Sequence, residues 1–336
     1  MNPSTIIQNA RLVNEGEILE TDVLLKNGRI EKIATAISAP AGAEVVDARG
    51  RHLLPGMIDD QVHFREPGLT HKGDFYSESR AAIAGVVTSY MDMPNSKPPT
   101  TDVDQLEWKY ARAAQTSAAN YGFYFGATND NIENIKALDP SLACGVKVFM
   151  GASTGNMLVD DESTLAAIFR ESPVLIATHC ESTPMIMANM KQAMAEYGKK
   201  IPVTEHARIR SAEACYASSE LAVALARKYN SQLHVLHIST ARELDLFSAG
   251  PIEGKDITAE ACVHFLHFDD SQYAEMGNNI KCNPAIKTAA DQAALINAIS
   301  DGRLDIIATD HAPHTIAEKA DDDYLSAPSG LPLVQD

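Results

Sequence analysis

LLPGMIDDQVHFREPG, residues 53–68, decides how the rest of the chain is read. A short apolar run, LLPGMI, passes into polar residues and stops at a Pro-Gly pair, as a buried strand does when it ends in a loop. Alternate residues of a strand share one face, so Gln61 and His63 point the same way. A strand ending His-x-His sets two imidazoles on one metal ion. Here the first of those positions is Gln61 and only His63 is an imidazole.

Upstream of this stretch, residues 4–52 read as short strands with turns between them. STIIQNARLV, GEILETDVLLKNGRIEKIA with its Asn27-Gly28 turn, and AEVVDARGRHL form a small β-module. Downstream the texture is strand, loop, helix, repeated. Strands are expected at 53–64, 86–93, 120–128, 144–150, 173–180, 232–239, 257–265 and 304–311. Helices are expected near 74–84, 102–118, 131–138, 161–171, 182–229 with a break near Pro202, 240–249 and 287–301. Asp74, Asp102 and Asp161 are N-cap candidates, and Gly85 is a stop.

Eight strands alternating with helices favour a parallel (β/α)8 TIM-like barrel over an open doubly wound sheet. Residues 1–52 would then be part of a small β-sandwich module and 53–336 the barrel. No GxGxxG or GxxxxGK[ST] loop follows any strand, which removes the main support for nucleotide binding.

The chain has 336 residues, 45% of them hydrophobic, enough for a large core. A formal charge of −17 argues against a nucleic-acid partner, and an anionic ligand would need local cations against that field. Five cysteines without a CxxC pair point to a reducing compartment. The N-terminus carries no signal-peptide pattern, and no apolar run reaches the ~18 residues of a membrane span. A cytoplasmic protein acting on a small molecule is the expectation.

In a barrel of this kind the chemistry lies at the C-terminal ends of the strands. Those ends carry His63 and Arg65, Asn95 after MDMP, Lys147 within GVKVFM, His179 in ATHCE, His237 in HVLHIST, and Asp310 in ATDHAPH. A single strand-end histidine is more often a satisfied residue than a ligand. Lys147 differs, because flanking Val146, Val148 and Phe149 imply burial, and a buried unpaired ammonium tends to lose its proton. A neutral amine can be carboxylated by carbon dioxide, and the carbamate can bridge two cations; a salt bridge or snorkelling to the rim is the other reading. Three imidazoles, a carboxylate and a lysine converging on one point suit zinc or a similar divalent ion.

Taken together, PGMIDDQVHFREPG, MDMPN, GVKVFMG, ATHCE, HVLHIST, KCNPAIK and ATDHAPH resemble the amidohydrolase superfamily, and within it the dihydroorotases. The resemblance runs through almost the whole chain. It implies reversible hydrolysis of (S)-dihydroorotate to N-carbamoyl-L-aspartate in pyrimidine biosynthesis, one or two Zn2+ ions, and carboxylated Lys147 as their bridge. One metal would use His63 and Asp310, the other His179 and His237. Asp310 would also be the catalytic acid and base. Arg65, Asn95, Asn283, His314 and the Gly330 region would hold the substrate. A homodimer is implied as well.

The chain departs from the family pattern at Gln61, whose role as a ligand is open. It also stops at Asp336 soon after the eighth strand, so the fold is expected to be incomplete at its C-terminus. The nearest rival function is a hydantoinase or allantoinase, whose substrates need no arginine for a ring carboxylate. A non-catalytic relative is the rival from another class, with Gln61 as its support.

Overall fold

The fold is taken from a computed structural model, which describes residues 4–151 and 157–335. The chain divides into two compact units, Met1–Met57 and Ile58–Asp336.

The first unit is one five-stranded sheet. Its strands are β1 (Ser4–Asn14), β2 (Glu17–Lys26), β3 (Arg29–Ala34), β4 (Glu44–Asp47) and β5 (His52–Leu53). They run in the order β3-β2-β1-β4, with β5 also on β1. The expected Asn27-Gly28 turn is present, both residues having positive φ (55° and 71°), as a tight hairpin between twisted strands requires. Buried Asp22 accepts hydrogen bonds from Asn9 N and Ile37 N, both at 2.9 Å, and so pins the irregularity between Ile7 and Ala10 of β1. Among the described residues of this unit these strands form a single sheet. Residue 53, expected to begin the first barrel strand, pairs with Leu12 of β1 instead.

The second unit opens with β6 (Met57–Val62), α1 (Phe75–Ala84), β7 (Val87–Asp92) and α2 (Val103–Thr116). Then come β8 (Asn120–Phe123), β9 (Phe125–Gly126), α3 (Ile132–Lys136), β10 (Val146–Phe149) and α4 (Glu162–Glu171). β11 (Ile176–His179) leads to α5 (Thr183–Tyr197), α6 (His206–Ile209), α7 (Ala212–Tyr229) and β12 (Leu233–Val235). The chain continues through β13 (Ile257–Cys262), α8 (Val263–His267), α9 (Tyr273–Met276), α10 (Ala289–Ser300), β14 (Ile306–Ala308) and α11 (Ile316–Lys319).

Two sheets result, β6-β7-β8 and β9-β10-β11-β12-β13-β14. The pairs from β9 to β14 and the pair β7–β8 are parallel. The sheets touch at both margins. Tyr124 N, between β8 and β9, donates to Asp92 O at 3.1 Å; at the other margin His63 N donates to His311 O at 2.7 Å, and Val62 bridges His311 in parallel.

Parallel strands are covered on both faces, which is why VKVF and IATH are continuously apolar or buried instead of alternating. The expected caps are in place. Asp74, Asp102 and Asp161 each accept from the third residue of their helix, at 2.7–2.8 Å, and Gly85 ends α1. Helix α4 buries Leu165, Ile168 and Phe169 on one stripe, each contributing roughly 1.5–3 kcal/mol, and Phe169→Ala would cost roughly 3–5 kcal/mol.

The helical stretch 182–229 breaks near Pro202 as expected, into α5, a short 3-10 turn, α6 and α7, because Gly198 and Pro202 interrupt the helical backbone. Two expected elements come out differently. The stretch 240–249 is a 3-10 helix, Arg242–Leu246, not an α-helix. The eighth strand ends at Ala308, since Asp310 has left the extended region (φ 48°).

Candidate active site

Three of the residues at the strand ends have left-handed backbone: Arg65 (φ 68°), His237 (φ 43°) and Asp310 (φ 48°). Non-glycine residues adopt that region only where their surroundings enforce it, and such strain gathers at functional sites. Here it turns the side chains out of strand alternation and toward one another.

The first group lies at the end of β6. His63 Nε2 is 3.1 Å from Asp310 Oδ1, and His63 Nδ1 is 2.7 Å from Asn95 Oδ1. Nδ1–H donates to Asn95 Oδ1, which fixes the ring so that Nε2 faces Asp310, the arrangement of a metal-ligating histidine. Gln61 is buried and does point the same way as His63. Gln61 Nε2 donates to Asp310 Oδ1 at 3.1 Å, while Oε1 faces the Cys262 thiol at 3.8 Å. An ionised carboxylate selects the amide's donor side.

The second group is formed by β11 and the end of β12. His179 Nδ1 lies 2.9 Å from His237 Nε2. The other nitrogen of His179 lies 3.0 Å from Glu181 Oε2, and Glu181 is in turn paired with Arg210. A carboxylate on Nε2–H leaves the His179 Nδ1 lone pair free, and it faces His237 Nε2, so two imidazole nitrogens converge on one place. Glu181 and Arg210 have no role in the sequence reading. The available signal was Glu181 standing two residues after His179 on a buried segment, hence on the same face. Gly151 belongs to this construction too, because any side chain there would run into the Glu181 carbonyl.

Lys147 sits between the groups electrostatically. It is 1% exposed, and among the described residues its Nζ makes no hydrogen bond or ion pair, only a 4.7 Å approach to the Phe149 ring. Burial pushes its pKa down to about 8, against the opposing charges of Asp310 and Glu260. Burial also lowers His179 and, farther, His237, whose neighbours include the charges of His179, Lys147 and Asp310. Burial pushes Asp310 up, yet the His63 hydrogen bond and the charges of His63, His237 and His264 hold it well below the usual carboxylate range. Neutral imidazoles, an ionised carboxylate and a deprotonatable amine are the donor chemistry that zinc takes.

The candidate substrate residues form a neighbouring cationic patch. Arg65 Nε donates to Pro313 O at 3.0 Å, and its guanidinium approaches His314 Nε2 at 3.1 Å. His314 Nδ1 is 2.9 Å from Lys72 Nζ, and its Nε2 is 2.9 Å from Ser329 O. Burial, then the charges of Arg65 and Lys72, push His314 down to about 3, so it is neutral; burial lowers Arg65 only to about 10, so it stays charged. Gly330 (φ 139°) closes against this patch, where a Cβ would lie 3.0 Å from His314 Nε2. A pocket lined by His63, Arg65, Asp92, Met93, Asn95 and Ser96 opens beside it. Asn283 makes no hydrogen bond to the other candidates, and its buried Oδ1 has no partner among the described residues.

Beneath the pocket, Asp92 Oδ2 is paired with buried Lys109 at 2.6 Å and Asp92 Oδ1 accepts from Phe64 N at 2.8 Å. This pair fastens α2 to the ends of β6 and β7, and so sets the loop that carries Asn95. An apolar-faced helix gave no sign that its lysine was buried.

Comparison with known proteins places these features in a family. The model of the family described as "Dihydro-orotase-like" matches residues 50–142. A dihydroorotase of Halobacterium salinarum is 35% identical over 94% of this chain and 71% of its own length. An allantoinase of Streptomyces avermitilis is 32% identical over 98% of this chain and 74% of its own. Among solved structures, an L-hydantoinase (dihydropyrimidinase) from Arthrobacter aurescens superposes with a TM-score of 0.92 at 26% identity, over 100% of this chain and 75% of that one. The mixed α/β architecture with its parallel strands is therefore that of the hydantoinase structures.

Proposed function

Because the chain belongs to the dihydroorotase-like cyclic amidohydrolases, we propose that it is a dihydroorotase, a metal-dependent enzyme of pyrimidine biosynthesis that opens (S)-dihydroorotate to N-carbamoyl-L-aspartate and closes it again. The observation that carries the choice of substrate is the placement of Arg65. Its charged guanidinium stands next to His314 and lines the same pocket as His63, where a ring carboxylate needs a fixed bidentate partner. Asn283, with its unpaired buried oxygen, offers an acceptor for a ring N–H.

His63 and Asp310 would hold one zinc ion, and His179 and His237 the other, with a carbamate on Lys147 between them. The metal supplies Lewis acidity toward the ring carbonyl and a lowered pKa for the attacking water. The chain's own residues do the rest. Arg65, with Asn95 and Asn283 nearby, orients the ring so that one amide carbonyl faces Asp310. As water adds to that carbonyl carbon, Asp310 takes its proton; when the carbon–nitrogen bond breaks, Asp310 returns the proton to the departing nitrogen. A carboxylate held well below its usual range is ionised at neutral pH and ready to accept.

We also read the eight strands β6 to β14, with β8 and β9 as one strand broken at Tyr124, as a closed (β/α)8 barrel. The Val62–His311 bridge supports this, as does the reach of Asp60 on β6 to His234 on β12 at 3.4 Å, across four intervening strands of the chain.

The allantoinase and hydantoinase relatives keep a second substrate class in view. Zinc-loaded protein should be assayed for ring opening of dihydroorotate, allantoin and hydantoin side by side. Turnover of dihydroorotate well above the other two is expected. Turnover of allantoin or hydantoin alone would replace this reading.

A further inference from the structure

Asp60 on β6 meets His234 and Glu260, which stand on the neighbouring strands β12 and β13, in the interior. All three are buried, with exposures of 7%, 2% and 0%, and one ligand atom from each lies within 4.8 Å of the others. None of them belongs to the candidate active site.

Hydrogen-bond accounting shows that the cluster is incomplete. The Thr258 hydroxyl donates to Leu233 O at 3.4 Å and lies 2.8 Å from His234 Nδ1. His234 Nε2 faces Glu260 Oε2 at 3.2 Å and Asp60 Oδ2 at 3.4 Å. The second oxygen of Asp60, Oδ1, is buried and has no hydrogen-bond partner among the described residues. Two carboxyl groups gathered this closely in the interior cannot both ionise unless something positive stands with them.

We propose that Asp60, His234 and Glu260 bind a divalent cation of the zinc type, separate from the catalytic metals. The spacing fits. Donors on a tetrahedral zinc with bonds of ~2.0–2.2 Å stand about 3.3–3.5 Å apart, which is the separation found around Nε2. The charge fits as well, because one divalent ion neutralises two carboxylates and leaves no net charge in the interior.

The site has a structural role. Glu260 also accepts from His237 N at 2.9 Å through its other oxygen, so the ion would brace the backbone that presents His237. Since all three ligands are buried, the ion would exchange slowly.

The test is zinc content after prolonged chelation of protein produced in zinc-supplemented medium. Unmodified protein should keep one equivalent that the chelator does not remove. His179→Asn/His237→Asn, which removes ligands proposed for catalysis, should keep the same equivalent; Asp60→Val should lose it. Full loss of zinc from the unmodified protein, or retention by Asp60→Val, would overturn the proposal. Should a variant not fold, anomalous scattering across the zinc edge in crystals of unmodified protein decides. A peak among the three side chains supports the site, and protons alone, with no peak there, sink it.

Discussion

His179 and His237 face each other with Nδ1 and Nε2 2.9 Å apart, while the far nitrogen of His179 is held by Glu181. Two imidazole nitrogens that face each other this closely make half of a metal site. Glu181 decides which nitrogen of His179 is free, and Arg210 keeps Glu181 ionised: against burial, the Arg210 charge and the His179 hydrogen bond bring it down to about 2. Glu181→Gln should weaken zinc at this half of the centre by about 10–100-fold, measured by competition with a chromophoric chelator. Unchanged affinity would reduce Glu181 to a packing role.

Lys147 has no counter-ion among the described residues and is pushed down to about 8 by burial. The amine form that reacts with carbon dioxide is therefore accessible at neutral pH. Lys147→Ala should bring turnover to background, with partial recovery on adding short carboxylic acids that stand in for the carbamate. Full activity and unaltered metal content in Lys147→Ala would remove the bridge.

Arg65→Met should raise KM and lower kcat/KM for dihydroorotate by ~10²-fold or more, because a charge-assisted pair is lost at a partly desolvated site. Steady-state kinetics reads this directly. If the variant handled dihydroorotate as the unmodified protein does, the carboxylate would be bound elsewhere.

Gln61 holds Asp310 through its amide nitrogen and so competes with a metal for Oδ1. Gln61→His removes that donor and adds an imidazole beside His63. Metal stoichiometry at low zinc should rise in Gln61→His, with no change in the order of substrates. Equal high affinity of both sites in the unmodified protein would show that Gln61 is no handicap.

His206 is buried between the Tyr324 hydroxyl (2.8 Å) and the Cys282 carbonyl (2.7 Å). Burial, then the charge of Arg210, lowers it from 6.5 to about 3. Below pH 6.5 the unfolded chain binds a proton here that the folded chain refuses, so folding stability falls as pH falls from 6.5 toward 3 and is level above. Glu181 contributes only below about pH 4.5. Comparing Tm between pH 6.5 and 4.5, with chelator present, His206→Gln should lose less stability than the unmodified protein, by on the order of 2 kcal/mol. Parallel curves would mean that His206 is charged in the fold or unimportant to it.

Much of this was legible in the sequence, and the rest was hidden for physical reasons. Apolar strand runs and capping aspartates are local signals, and Asp74, Asp102 and Asp161 cap the helices they announce. The pairs His63–Asp310 and His179–His237 follow the ligand grouping that the resemblance implied. Alternation correctly put Gln61 with His63, but it carries no information about which end of an amide faces Asp310. Nor does it extend to His237 and Asp310, whose left-handed backbone breaks the period. Glu260 sits between alanines in β13 much as Lys147 sits between valines, and the same burial argument applied to it leads to the His234 cluster. Lys109 and Arg210 stay unreadable, because their partners lie far away along the chain.

The most direct measurement is dihydroorotate hydrolysis followed against bound zinc in one sample, from chelated protein to saturation. We expect no turnover without metal and a rise in rate that tracks occupancy of the site containing His63 and Asp310. Saturated protein that binds zinc and leaves dihydroorotate untouched would contradict the account.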